Sequence, residues 1–204
     1  MTIKLENVGK RFESQWIFKG ITHEFSIGKT YAITGHNGSG KSTLLKVIAG
    51  MLTPNEGSVS HLINGEMKAP ESALLHTTFC APYLELPEEI TVGELLRFHT
   101  AQRELEISIE SVLSQIQIGE EKQIRTLSSG MKQRLKLALA VFTKADAVFL
   151  DEPTSNFDTN WEAWYKKVLQ HISGKRLIVI SSNHSFEYKD FASEEISLNA
   201  NAVR

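Results

Sequence analysis

The 204-residue chain has one cysteine, Cys80, which excludes an intramolecular disulfide and fits a reducing compartment. With only five prolines and no low-complexity tract, nothing in the composition points to long disordered stretches. No segment approaches the roughly 18 to 20 uninterrupted apolar residues of a membrane-spanning helix, and Met1 to Glu6 carries no apolar signal core. A role at a membrane therefore requires docking on a partner. Charge of one sign is lacking too: 22 Lys and Arg against 24 Asp and Glu give a net charge of -2. Without a broad basic field, nucleic acid is not an expected partner. The short basic run Lys132, Arg134, Lys136 reads as a solvated helix face, and Cys80 as a small buried residue beside Phe79.

The chain does have a globular balance, with 41% hydrophobic and 23% charged residues. Its length suits one domain, 1–204, with a small subdomain. Residues 2 to 34 alternate in short apolar runs (Ile3, Leu5, Val8; Ile21, Phe25, Ile27; Tyr31, Ala32, Ile33), the pattern of several strands. From Thr91 to about Lys144 the spacing turns helical, and residues 84 to 144 read as a helical insertion. Ala147 to Leu150 and Leu177 to Ile180 are compact apolar runs, as in buried parallel strands. Between them lies a helix bearing Trp161, Trp164, Tyr165 and Val168 as packing residues. An α/β core with a helical subdomain is the simplest architecture.

The run Tyr31 to Thr34 meets Gly35-His36-Asn37-Gly38-Ser39-Gly40-Lys41-Ser42, then Thr43 and a helical segment that stops at Gly50. Two glycines flanking four residues, followed by Lys and Ser at a strand-to-helix junction, form the pattern of a phosphate-binding loop. Glycine is needed because backbone N–H groups must turn inward around phosphates. Lys41 supplies a point charge near the β and γ phosphates, Ser42 offers its hydroxyl to Mg²⁺, and the helix start points its positive end at the nucleotide. A strand ending in two acids, Asp151 and Glu152, is costly to bury unless a cation or a proton transfer uses the charges. With the loop present, Asp151 is expected to hold Mg²⁺, and Glu152 to orient or deprotonate the water that attacks the γ phosphate.

Between these elements lies Leu127-Ser128-Ser129-Gly130-Met131, followed by Lys-Gln-Arg-Leu and a helix leading to Asp151-Glu152-Pro153-Thr154 and Ser155-Asn156-Phe157-Asp158. The order and spacing resemble the ABC ATPase family over essentially the whole chain. The resemblance implies an α/β P-loop NTPase core with N-terminal antiparallel strands and a helical subdomain. It also implies two nucleotide domains, as in a homodimer, closing head to tail on ATP. Ser128, Ser129, Gly130 and Met131 would then complete the site from the opposite subunit, near the D-loop with Asp158. His184 matches the family's switch histidine, which joins Glu152 and Lys41 in the catalytic set. Phe12 stands at the adenine-stacking position, where a core role competes and Trp16 is a second candidate.

Ser129 and Met131 depart mildly from the family's signature. In Phe79 to Val92 the family's metal-binding glutamine is missing. Counting back from Thr91-Val92 puts Pro82 or Tyr83 at its position, and Glu85 or a water is the expected substitute. The function implied is an ATPase on the cytoplasmic face of a membrane that drives a separate permease, with ATP and Mg²⁺ as cofactors. A soluble ABC ATPase acting on cytoplasmic proteins is the alternative. No Asn-Lys-x-Asp sequence supports a GTPase, and a kinase has no need of the signature.

Overall fold

The alternation at the start of the chain folds as strands β1 (Thr2–Phe12), β2 (Gln15–Ser26) and β3 (Thr30–Thr34), after which α1 (Lys41–Ile48) follows the glycine loop. Strands β4 (Glu56–Ile63) and β5 (Glu66–Lys68), helix α2 (Pro70–Leu74) and strand β6 (Thr77–Cys80) come next. The helices α3 (Val92–Gln102), α4 (Ile109–Ile116) and α5 (Ser129–Phe142) lead into β7 (Ala147–Asp151), α6 (Thr159–Ile172), β8 (Leu177–Ser181) and β9 (Glu194–Ser197). The computed structural model describes residues 1–198.

Two sheets result: an antiparallel one in the order β2-β1-β4-β5 and a five-stranded one in the order β6-β7-β8-β3-β9. Every pairing in the second is parallel. Its central strands are buried throughout because the sheet is covered on both faces, and the strand period of two sorts their side chains. Tyr31, Ile33, Phe149 and Val179 join α1 and the inner face of the antiparallel sheet in one apolar cluster. Ala32, Leu150, Ile178 and Ile180 join the other, with Leu96 of α3, Ile116 of α4, Leu137 of α5 and Tyr165 of α6. Each such Leu or Ile contributes about 1.5–3 kcal/mol by leaving water.

Local signals set the helix limits. Helix α3 begins at a capping box, with the Thr91 hydroxyl accepting from the Glu94 N–H and the Glu94 carboxylate from the Thr91 N–H. The chain leaves α1 through Gly50, whose φ of 78° lies in the left-handed region. Cys80 is buried as expected, and burial pushes its thiol up to about 12.

The expected solvated basic face on α5 is not there. Lys132 pairs with Glu88 at the rim, the Arg134 guanidinium lies 3.5 Å from the centre of the Trp161 ring, and Lys136 is buried. At about 100° per residue, a spacing of two cannot line up three residues on one helix face. Helix α5 is also packed around most of its circumference, since it lies between the parallel sheet, α4 and α6.

Candidate functional site

Register gathers the site. Asp151 of β7 lies opposite Ser181 of β8, and Ser181 lies opposite Ile33 of β3. The segments that follow these strands, bearing Gly35 to Gly40, Glu152 and His184, therefore leave from the same carboxyl edge, where open α/β sheets bind ligands.

The loop after β3 owes its curl to glycine: φ is 143° at Gly35, 80° at Gly38 and 97° at Gly40. A Cβ at Gly40 would meet Ile17 Cγ2 at 2.3 Å, and one at Gly35 would meet the Leu198 carbonyl oxygen at 2.5 Å. The first turn of α1 has neither a side-chain cap nor an acidic residue, so its N–H groups and dipole remain available to an anion. The Lys41 ammonium donates to the carbonyls of Gly35 at 3.0 Å and His36 at 3.2 Å. Burial lowers its pKa, against the raising effect of the Glu152 and Asp151 charges. A cleft of about 330 Å³ is lined by Ile17, Asn37, Lys41, Ser42, Thr43 and Glu152, with Gly38 and Gly40 in its floor. The His36 ring bonds through Nδ1 to the Asn37 carbonyl, and Ser39 is buried within the loop.

At the end of β7, Asp151 is 1% exposed, and neither carboxylate oxygen completes a hydrogen bond of normal geometry. Such a group calls for a cation. Among the described residues no cluster of three or more His, Cys, Asp or Glu could hold a metal unaided. Asp151 and the Ser42 hydroxyl offer hard oxygen ligands of the kind Mg²⁺ takes together with phosphate oxygens and water. Glu152 sits at a φ of 41°, a sparsely populated conformation for a residue with a Cβ, and its N–H donates to the Ser181 carbonyl at 2.8 Å.

Glu85 is exposed and faces a different cleft, of about 600 Å³, with Ser129, Lys132 and Asn156. Tyr83, on the β6–α3 loop, lays its ring 4.2 Å from the Lys46 ammonium. Burial, reinforced by the Asp151 charge, holds the Tyr83 phenol well above its ordinary pKa.

The Ser128 hydroxyl caps α5, accepting from the Met131 N–H at 3.3 Å. Asp158 caps α6, its Oδ1 accepting from the N–H groups of Asn160 at 3.0 Å and Trp161 at 3.1 Å. Ser128, Ser129, Gly130, Met131 and Asp158 line one small cleft that shares no wall with the phosphate loop of the same chain. A Cβ at Gly130 would approach the Asn156 carbonyl oxygen to 2.8 Å. Gly130→Ala is therefore expected to displace the 155–158 turn and destabilise the chain by about 1–3 kcal/mol, measured as a lower midpoint in denaturant.

His184 is exposed after β8, with its N–H donating to Ser182 Oγ at 2.9 Å. The Asn183 side-chain amide donates to Asn37 Oδ1 and ties this segment to the phosphate loop. Phe12 is 51% exposed. Trp16 instead packs against cations, with Lys19 at 3.8 Å and Arg11 at 5.4 Å from its ring centre. Phe12 has one cation beside it, the Lys10 ammonium 5.4 Å from its ring centre, and is the less covered of the two aromatics. Phe12→Ala is expected to weaken ATP binding about 2- to 10-fold, as loss of one stacking partner implies, and Trp16→Ala less; binding of a fluorescent ATP analogue measures both.

Three groups escaped the sequence reading. Ile17 looks like an ordinary strand residue, and Asn183 has no pattern of its own. Glu187 is buried three residues beyond His184 and accepts from the Thr154 N–H at 2.9 Å and from its hydroxyl. Burial raises its pKa against the pull of those bonds.

The sequence pattern of a family described as ABC transporter matches residues 18–155. A Burkholderia lata protein, named for ribose/galactose/methyl galactoside import as an ATP-binding protein, is 31% identical over 92% of this chain and 39% of its own. The chain thus spans about two fifths of the length of such relatives. An uncharacterized ABC transporter ATP-binding protein of Bacillus subtilis is 27% identical over 89% of this chain and 85% of its own. Among solved structures, an ABC transporter ATP-binding protein from Pyrococcus furiosus has a TM-score of 0.80 at 21% identity, covering 97% of this chain and 98% of its own. A bacterial ABC transporter cassette solved as a dimer also has a TM-score of 0.80 at 21% identity, over 96% and 94% of the two chains.

Proposed function

The chain belongs to the ABC transporter family of ATPases, and from that premise we propose that it binds Mg²⁺-ATP on the carboxyl edge of its parallel sheet and hydrolyses it to power a separate membrane permease. The observation that carries this reading is the meeting of Lys41, Ser42 and Glu152 in one cleft, with the partnerless carboxylate of Asp151 close enough to act on Lys41.

The phosphates lie along the glycine loop, where N–H groups and the Lys41 ammonium receive their charge. Adenine stacks on Phe12. Ser42 and Asp151 hold Mg²⁺, which when bound neutralises charge on the phosphate oxygens. Glu152 aligns the attacking water and takes its proton, and His184 meets the γ phosphate from the segment after β8. Ser128, Ser129, Gly130 and Met131 act on the nucleotide of a second copy, because within one chain they line a separate cleft. ATP thus joins two chains until hydrolysis releases them, and residues 84–144 form the subdomain that carries this surface.

No helix among the described residues is long and apolar enough to cross a membrane; in this reading the permease is a separate partner and this chain is peripheral on the cytoplasmic face. Isolation of the tagged chain from detergent-solubilised native membranes tests the coupling. A stoichiometric integral membrane protein is the expected companion. Recovery with soluble proteins alone would replace transport with remodelling of cytoplasmic partners.

A further inference from the structure

Glu187 is a carboxyl group with 1% exposure and no part in the chemistry above. Its Oε1 takes two bonds from a single residue: the Thr154 N–H donates to it at 2.9 Å, and the Thr154 hydroxyl donates to it as well. Its Oε2 has no partner of normal geometry. Burying a carboxyl costs free energy unless it is used in hydrogen bonds, so what offsets that cost here is the grip on Thr154.

Thr154 belongs to the turn that carries Glu152. The Ser155 N–H and hydroxyl donate to the Glu152 carbonyl at 3.1 Å and 2.9 Å, and the Glu152 N–H is tied to the Ser181 carbonyl. Between these ties Glu152 holds its φ of 41°, a conformation that persists only where the surroundings over-determine it. Ser155 closes the turn from within, whereas Glu187 holds it from another segment of the chain.

Glu187 is itself fixed on two sides. Its N–H donates to the His184 carbonyl at 3.0 Å, and its carbonyl accepts from the buried Tyr165 hydroxyl of α6 at 2.7 Å. A short path of bonds therefore runs from His184 through Glu187 to Thr154 and the Glu152 turn.

We propose that Glu187 is a positioning residue for hydrolysis: by accepting both Thr154 donors it fixes the Glu152 turn against the segment that carries His184. This rests on the roles given to Glu152 and His184 above. A residue that only stabilises the fold changes how much chain is folded, whereas the positioning role changes the turnover of chain that is folded and binds ATP.

The readout is phosphate release counted per nucleotide site, with the sites titrated by a fluorescent ATP analogue, beside the midpoint in denaturant. Wild type is measured first; if it releases no phosphate, the hydrolysis reading fails and this one with it, whereas a failure confined to the variants belongs to this proposal alone. Glu187→Leu leaves both Thr154 donors without an acceptor and is expected to lower kcat about 10- to 100-fold, with affinity for the analogue within about 2-fold of wild type. Thr154→Val removes the hydroxyl and keeps the N–H, so a loss of about 2- to 10-fold in kcat is expected. The double variant is expected to be no slower than Glu187→Leu, because both changes act on one contact. Glu187→Gln keeps an acceptor oxygen and is expected to stay within about 3-fold of wild type. If the leucine variant does not fold, Thr154→Val and Glu187→Gln carry the comparison. Wild-type turnover per site in Thr154→Val overturns the proposal, as does a fall in ATP affinity that matches the fall in turnover. Glu187→Gln as slow as Thr154→Val or slower overturns it too, since the role would then be one of charge.

Discussion

Glu152→Gln is expected to slow ATP hydrolysis by about 10²- to 10⁴-fold, the range for loss of a general base, while leaving nucleotide binding within about 2-fold of wild type. The amide keeps the shape of the carboxylate but cannot take a proton. It also keeps the backbone that Glu152 anchors, through its N–H to the Ser181 carbonyl. Removing a negative charge beside bound phosphates does not weaken their binding, so ATP accumulates and holds two copies together. Phosphate release and the molar mass of the variant in ATP measure the two halves of this expectation. Fast hydrolysis by Glu152→Gln would remove Glu152 from its role and leave Asp151 or a solvent base in its place.

The second large effect is expected at Lys41. Charge-assisted hydrogen bonds contribute about 1.5–3 kcal/mol, so Lys41→Ala should weaken ATP binding about 10- to 100-fold and abolish hydrolysis at ordinary nucleotide concentrations. Lys41 acts within the loop as well, since its ammonium also ties the Gly35 and His36 carbonyls together. It also offsets the Asp151 and Glu152 charges, so its loss leaves two acids facing the phosphates unopposed. Titration with a fluorescent ATP analogue checks the affinity. A variant that binds as wild type does would move the phosphates away from the glycine loop.

The residues that could be read from sequence are those whose chemistry dictates their spacing. Gly35, Gly38 and Gly40 are there because the loop needs positive φ, and Asp151 and Glu152 show because two acids at the end of an apolar strand need a use. The compact apolar runs Ala147 to Leu150 and Leu177 to Ile180 showed as parallel strands because a sheet covered on both faces buries every residue of such a strand.

What did not show depends on contacts between distant segments. Lys136 reaches the Ala81 carbonyl across 55 positions, and on sequence it looked like one of three surface cations. Glu85 was the natural substitute for a missing glutamine because it is the acid nearest in sequence. Lys136 of α5 brackets the β6–α3 loop through the Pro82 and Leu84 carbonyls, and nothing local to residues 79–92 encodes that. Ile17 and Asn183 are similar cases, given a role only by the fold of β2 and the end of β8 against the glycine loop.

The most direct measurement is phosphate release from ATP by the purified chain, with and without Mg²⁺, beside Lys41→Ala prepared in the same way. Release that needs Mg²⁺ and is lost in Lys41→Ala is expected. ATP that stays bound to wild type without release, or a γ phosphate transferred to an acceptor other than water, would contradict an ATPase built on this site.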